Sequence, residues 1–260
     1  MGSLDDRMKR HEAASQLTLT PKIPLIVRVD GRAFHTLTRR CKKPFDEQLV
    51  ECMAQTAVAL CQEIDGAQLA YVQSDEISIL AVDYVTPDSE PWFGGNVQKI
   101  VSVAASRATA AFNQWAQGRS LDLPNWAMFD ARVFALPRDE VINYFIWRQQ
   151  DWIRNSLNML ALFYFSQPEV HRLTRSQLHD KLFIEKGVNW AHLPTHLKNG
   201  TCVYKVPFMV REPAEMAPSV IRSTWMIDRE TPVFTRDRAY IERHVNIDLQ
   251  PVDTEPQVEK

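Results

Sequence analysis

The 260-residue chain has only four cysteines, Cys41, Cys52, Cys61 and Cys202, with no Cys-x-x-Cys pair and no cysteine at metal-ligand spacing from histidine. That excludes a zinc ribbon or a disulfide scaffold and reads as reduced thiols in a cytoplasmic protein. Charge of one sign is equally scarce. Thirty basic residues against 32 acidic ones leave a formal net charge of −2. No overall positive field draws nucleic acid, so any such contact must come from local patches. No apolar run approaches the roughly 18 residues of a membrane span, and the opening "MGSLDDRMKRHE" is too polar for a secretory leader, so no membrane partner is expected. The glycine-rich phosphate loops G-x-x-x-x-G-K-[ST] and G-x-G-x-x-G are missing, as is the G-x-S-x-G nucleophile elbow. There is no internal repeat. What remains, 45% hydrophobic and 24% charged, suits one large globular domain or a core with an appendage.

Residues 3 to 16 read as a short polar helix, and "LIVRVD" as a strand ending at Asp30. "LVECMAQTAVALCQEI" sets Leu49, Cys52, Met53, Thr56, Leu60 and Ile64 on one helical face. Residues 66 to 83 form two strands joined at Ser74-Asp75-Glu76. A helix follows over 96 to 116, then a strand in "AMFDARVFAL", then one or two helices from Asp139 to Phe165. Beyond about 168 the pattern weakens into short helices, a hairpin-like "GTCVYKVPFMV", a proline-containing loop at 211 to 219, and a disordered polar tail. Strands and helices alternate up to about 137 and helices dominate afterwards, which predicts an α+β core with a helix-rich second half. The expected division is a core over 1–140 with its N-terminal helix, a helical and hairpin extension over 141–248 within the same functional unit, and a tail at 249–260.

The chemistry concentrates in "LAYVQSDEISIL", residues 69 to 80, where an apolar strand runs into adjacent carboxylates and out again. Buried carboxylates are tolerated only when something cancels their charge. Asp30, ending another strand in "RVDGRAFH", supplies a second acidic end. Two such groups suit a pair of Mg²⁺ ions, which take one or two carboxylates plus water and phosphate oxygens. Gly31, lacking Cβ, would let the backbone approach a metal or a triphosphate. Arg28, Arg32, Arg39, Arg40, Lys42 and Lys43 crowd the same segment against a single acid, Asp30, as a polyphosphate would need. The plain alternatives are a turn at Asp30-Gly31, a hairpin tip at Asp75-Glu76 and a solvated basic loop. His192 and His196, separated by Pro194, make a poor metal pair; His11, His171, His179 and His244 read as surface residues. Trp92, Trp115, Trp126 and Trp225 read as core or interface.

"RVDGRAFHTLTRR", "KPFD", "AYVQSDEISIL", "FDARV" and "WRQQD" occur in an order and spacing that resemble the tRNA-histidine guanylyltransferase family, most closely its bacterial and archaeal guanylyltransferase-like branch. The resemblance runs from about residue 22 to about 165, and more loosely through "LKNGT". It implies a polymerase-like palm, an antiparallel sheet with helices packed on one face. It implies a Mg²⁺-dependent nucleotidyltransferase that activates a tRNA 5′-phosphate with ATP or GTP and then adds nucleotides in the 3′-to-5′ direction. By matching position the metal ligands would be Asp30, the Gly31 carbonyl and Asp75, with Glu76 completing the catalytic acids. Asp30, Gly31, Arg32, Ala33, Phe34, His35, Ser74 and Asp75 would line the nucleotide, Lys43 and Lys99 would hold phosphates, and Arg132, Arg148, Asn155 and Lys198 would meet the tRNA. The resemblance also implies a homo-oligomer, typically a tetramer. The chain departs from the family where eukaryotic members read His-Ile-Asn-Asn and this one reads Ile153-Arg154-Asn155-Ser156. That favours template-dependent repair of tRNA 5′ ends over addition of guanosine to tRNA-histidine. Two other expectations use the same carboxylates differently or not at all: a nucleotide cyclase acting without RNA, and a non-catalytic RNA-binding protein.

Overall fold

The structure is a computed structural model that describes residues 3–119, 121–210 and 220–246. The proline-containing loop at 211–219 and the polar tail lie outside them. Six strands form one antiparallel sheet: β1 (Leu25–Gly31), β2 (Ala67–Gln73), β3 (Glu76–Ala81), β4 (Phe129–Ala135), β5 (Thr201–Val210) and β6 (Val220–Asp228), in the order β4-β1-β3-β2-β5-β6. The helices are α1 (Leu4–Ala13), α2 (Phe34–Leu37), α3 (Glu47–Glu63), α4 (Val97–Gly118), α5 (Arg138–Tyr164), α6 (Gln167–Val170), α7 (Arg175–Lys186), α8 (Thr195–Asn199) and α9 (Ala239–Val245). None of them is long and apolar enough to cross a membrane.

The mixed α+β architecture matches the sequence expectation, but the helices cover both faces of the sheet rather than one. Val27, Val29, Val72, Ile77 and Ile79 pack with Met53 and Leu60 of α3 and Ile100 and Phe112 of α4. On the reverse face Ile26, Leu69, Tyr71 and Leu80 pack with Val141 and Phe145 of α5 and Ile241 of α9. Two-sided burial explains why "LAYV" and "ISIL" are apolar without alternation, as a central strand covered on both faces must be. Local signals start the helices. The Asp46 side chain accepts from the Gln48 and Leu49 amides to cap α3, and Asn96 accepts from Lys99 to cap α4. The stretch from Asp139 onward is one helix of 27 residues, α5, whose second half forms a satellite core with α7 through Leu157, Leu160, Leu178 and Leu182. "GTCVYKVPFMV" is not a hairpin in itself: β5 is a single strand joined on one side to β2 and on the other to β6.

His244, expected at the surface, is instead half-buried at the end of α9 between Tyr204 and Tyr240. Its Nε2 accepts from the Arg243 guanidinium at 3.2 Å, which only a neutral imidazole can do. Burial, reinforced by Arg243, depresses its pKa from 6.5 to about 4. Because the unfolded chain takes up this proton first, the stabilising contribution is complete above about pH 6.5 and is lost as pH falls toward 4. The loss is about 2–3 kcal/mol. Denaturant midpoints compared between pH 7 and pH 4.5 should fall less in His244→Gln than in the parent; equal slopes would refute the assignment.

Candidate active site

The first strand and the β2–β3 hairpin deliver two carboxylates to one cleft. Asp30 lies opposite Glu76 across β1–β3 and opposite Asp130 across β1–β4. The Gly31 amide donates to the Asp75 carbonyl at 3.0 Å, which ties the end of β1 to the hairpin tip. That tip is only Ser74 and Asp75, because Gln73 and Glu76 are already paired. Such tight turns need a positive φ, normally supplied by glycine or asparagine. Here Ser74 adopts φ 49, and Ala33, leading into α2, adopts φ 53. Two left-handed non-glycine residues beside one cleft are strain of roughly 1–3 kcal/mol each, held by the surrounding packing. Gly31 is fixed by a different neighbour from the one expected. A Cβ there would lie 2.3 Å from the Phe34 ring, which is locked against Phe112 and Phe129 at 5.3 and 5.1 Å. Sterics inside the core therefore demand glycine before any ligand does.

Asp30 and Asp75 take part in no salt bridge among the described residues. Burial raises the pKa of both. Asp75, Glu76 and Asp130 push Asp30 up further while Arg132 pulls it down; Asp75 is pulled down by hydrogen bonds, including that of Ser74, pushed up by Glu76 and pulled down by His35. Two desolvated carboxylates with no cation of their own fit a divalent ion. No group of three or more His, Cys, Asp or Glu side chains forms a ready-made metal cage among the described residues. Mg²⁺ does not require one, since it retains water and takes phosphate oxygens.

Glu76 is built differently. Its Oε1 accepts from Arg148 Nε at 2.8 Å, Gln73 Nε2 at 3.1 Å and Ser78 Oγ at 3.2 Å, and its Oε2 accepts from Arg148 Nη2 at 2.8 Å. A carboxylate so occupied braces the hairpin and leaves nothing for a metal. Expected among the catalytic acids, Glu76 is a positioning residue by its geometry. Arg148, expected to meet the tRNA, lines the same cleft but is buried, with its guanidinium bound to Glu76 and Asp151.

A cavity of about 490 Å³ opens beside the cleft. Gly31, Ala33, Phe34, His35, Lys43, Ser74 and Asp75, all named from the sequence, line it, although the Phe34 ring belongs to the core. Lys42 joins them, with Phe45, Leu49, Val50, Met53 and Val72 forming an apolar wall. Asp151, Asn155 and Asn158, on one face of α5, line the acidic cleft itself. Other expectations lie elsewhere. Lys99 is exposed at the start of α4, whereas α4 reaches the strand end beside Gly31 through Thr109 and Asn113. Ten residues of helix, roughly 15 Å, separate them. Arg32 is exposed and held by its amide to Met128. Arg132 pairs with Asp130 on the edge strand. Lys198 donates to the Ala191 carbonyl and lines a separate cavity. The six-cation cluster divides, with Arg40 turned to Asp122.

Sequence reasoning missed Asp130 and Trp152. The first stands in the quoted "FDARV" motif and could have been found from its strand position. Trp152 gives no signal except its place one turn beyond Arg148. Both Trp152 and Gln73 line cavity and cleft alike.

The family model described as tRNAHis guanylyltransferase (Thg1) matches residues 5–137. A solved bacterial tRNA(His) guanylyltransferase (Thg1)-like protein in complex with ATP is 44% identical, with a TM-score of 0.85 over 95% of this chain and 100% of that one. A second, in complex with GTP, is 41% identical, with a TM-score of 0.76 over 94% and 100%. The tRNA(His) guanylyltransferase of Schizosaccharomyces pombe is 27% identical over 246 residues, 85% of this chain and 92% of its own length. With half of the chain under the family model and paired acids at the strand ends, this chain belongs to the tRNA(His) guanylyltransferase family of enzymes.

Proposed function

We propose that the chain adds nucleotides to the 5′ end of tRNA in the 3′-to-5′ direction, after ATP or GTP has activated the 5′-phosphate. The observation that carries this reading is the convergence of Asp30 and Asp75, unpaired and desolvated, beside a cavity of nucleotide size. Asp30, Asp75 and the Gly31 carbonyl would hold two Mg²⁺ ions, which when bound would neutralise phosphate charge and acidify the attacking 3′-hydroxyl. Lys42 and Lys43 at the cavity place positive charge where phosphates would lie. Asn155 and Asn158 offer amides to an RNA end in the cleft.

Template-directed repair is favoured over untemplated guanosine addition. Of the four residues replacing His-Ile-Asn-Asn, Ile153 and Ser156 are buried, and Ser156 accepts from Trp190 Nε1 at 3.1 Å. Only Arg154 and Asn155 reach solvent, and Arg154 is bound to Asp151. The opposite strand is then left to choose the base. We place the enzyme in the cytoplasm as a homo-oligomer, with exposed Phe183 and Ile184 of α7 suited to a subunit contact. The test is a labelled tRNA shortened at its 5′ end, offered with GTP, ATP and Mg²⁺ and with matched or mismatched opposite bases. Extension confined to the complementary nucleotide is expected; cyclic nucleotide without extension would overturn the reading.

A further inference from the structure

The boundary between cavity and cleft carries two buried polar atoms with no partner among the described residues, Trp152 Nε1 and Gln73 Oε1. Trp152 is 5% exposed and Gln73 4% exposed. The Gln73 amide cannot be turned round to hide its oxygen, because its nitrogen donates to Glu76 at 3.1 Å. A buried donor or acceptor left unsatisfied costs about 1–3 kcal/mol. A donor and an acceptor orphaned on residues that both line the cavity and the cleft are complementary to a ligand group that both accepts and donates.

The position of the pair narrows that group. On one side the wall is apolar, through Leu49, Met53 and Val72, and suits a nucleobase. On the other stand the Asp30 and Asp75 carboxylates, which suit metal-bound phosphates. Between base and phosphate in any nucleotide comes the sugar. A ribose hydroxyl is donor and acceptor at one atom, which is what the two orphans require.

We propose that Trp152 Nε1 donates to, and Gln73 Oε1 accepts from, a hydroxyl of the ribose of a nucleoside triphosphate, so that the pair selects ribonucleotides over deoxyribonucleotides. The inference rests on the cavity and cleft being a nucleoside triphosphate site. Trp152→Phe keeps an aromatic ring against Phe45, whose centroid is 6.4 Å away, and removes only the N–H. Equilibrium affinities of the full-length protein for ATP and GTP, and for their 2′-deoxy and 3′-deoxy forms, are measured in Mg²⁺ without tRNA. The parent should bind the ribonucleotides about 10- to 100-fold more tightly than one of the deoxy forms. Trp152→Phe should weaken ribonucleotide binding by a similar factor and leave that deoxy form unchanged. No discrimination in the parent overturns the proposal without any variant. So does a Trp152→Phe protein that still discriminates, or one that loses all nucleotides equally. Absence of any triphosphate binding by the parent would instead remove the nucleotide site itself.

Discussion

Asp75→Asn and Asp30→Asn should each lower turnover by on the order of a thousandfold or more, with the protein still folded and somewhat more stable. A thousandfold is about 4 kcal/mol of transition-state stabilisation, a magnitude typical of losing a group that fixes charge at a phosphoryl centre. The stability effect has the opposite sign for a reason visible in the cleft. Burial raises both carboxyl pKa values, and neighbouring acids raise Asp30 further. A carboxyl whose folded pKa exceeds its unfolded one loses stability as pH rises through that interval, because the unfolded state ionises first. Asparagine removes the ionisation and the penalty with it. Single-turnover extension of a labelled tRNA together with thermal midpoints at pH 7 would check both halves. Retained Mg²⁺-dependent extension in both variants would end the assignment. Loss of activity accompanied by a lower melting point would make the two residues structural instead.

The two carboxylates that line the cleft were legible because apolar strands that run into carboxylates are costly, and the local pattern exposes that cost in "AYVQSDEISIL". The strands and α3, α4 and α5 were legible for a similar reason, since periodicity and capping are properties of contiguous residues. The second helical layer was harder to see. Strands buried on both faces lose their alternation, and nothing local says how many layers cover them. Glu76 shows the same limit in the site. It adjoins Asp75 in sequence and looks like a third acid, but its role is set by Arg148, 72 residues away. Lys99 was named from the polar line of its helix and from motif position, and Arg148 from motif position; neither exposure nor partner can be read from such signals, and of the two only Arg148 lines the cleft. Trp152 was invisible because an orphaned N–H is a property of what surrounds it.

Arg148→Met should destabilise the fold by about 3–5 kcal/mol, the usual consequence of removing one partner from a buried ion pair. The Arg148 and Glu76 side chains are each 10% exposed, so water cannot replace the lost bonds. Glu76 would be left charged beside Asp30 and Asp75, with only Gln73 and Ser78 donating to it. At about 2–4 °C per kcal/mol for a chain of this size, the melting point should fall by roughly 10 °C. Adding Glu76→Gln to Arg148→Met should recover more than half of that, because most of the penalty is the stranded charge and little of it is the missing contact. The double variant therefore distinguishes a structural brace from a group that touches RNA. An Arg148 that met tRNA would behave in the reverse way: methionine would leave the melting point unchanged, weaken tRNA binding and flatten its salt dependence by about one unit of slope. Since the guanidinium is held by three hydrogen bonds to Glu76 and Asp151, the melting point is the quantity that should move.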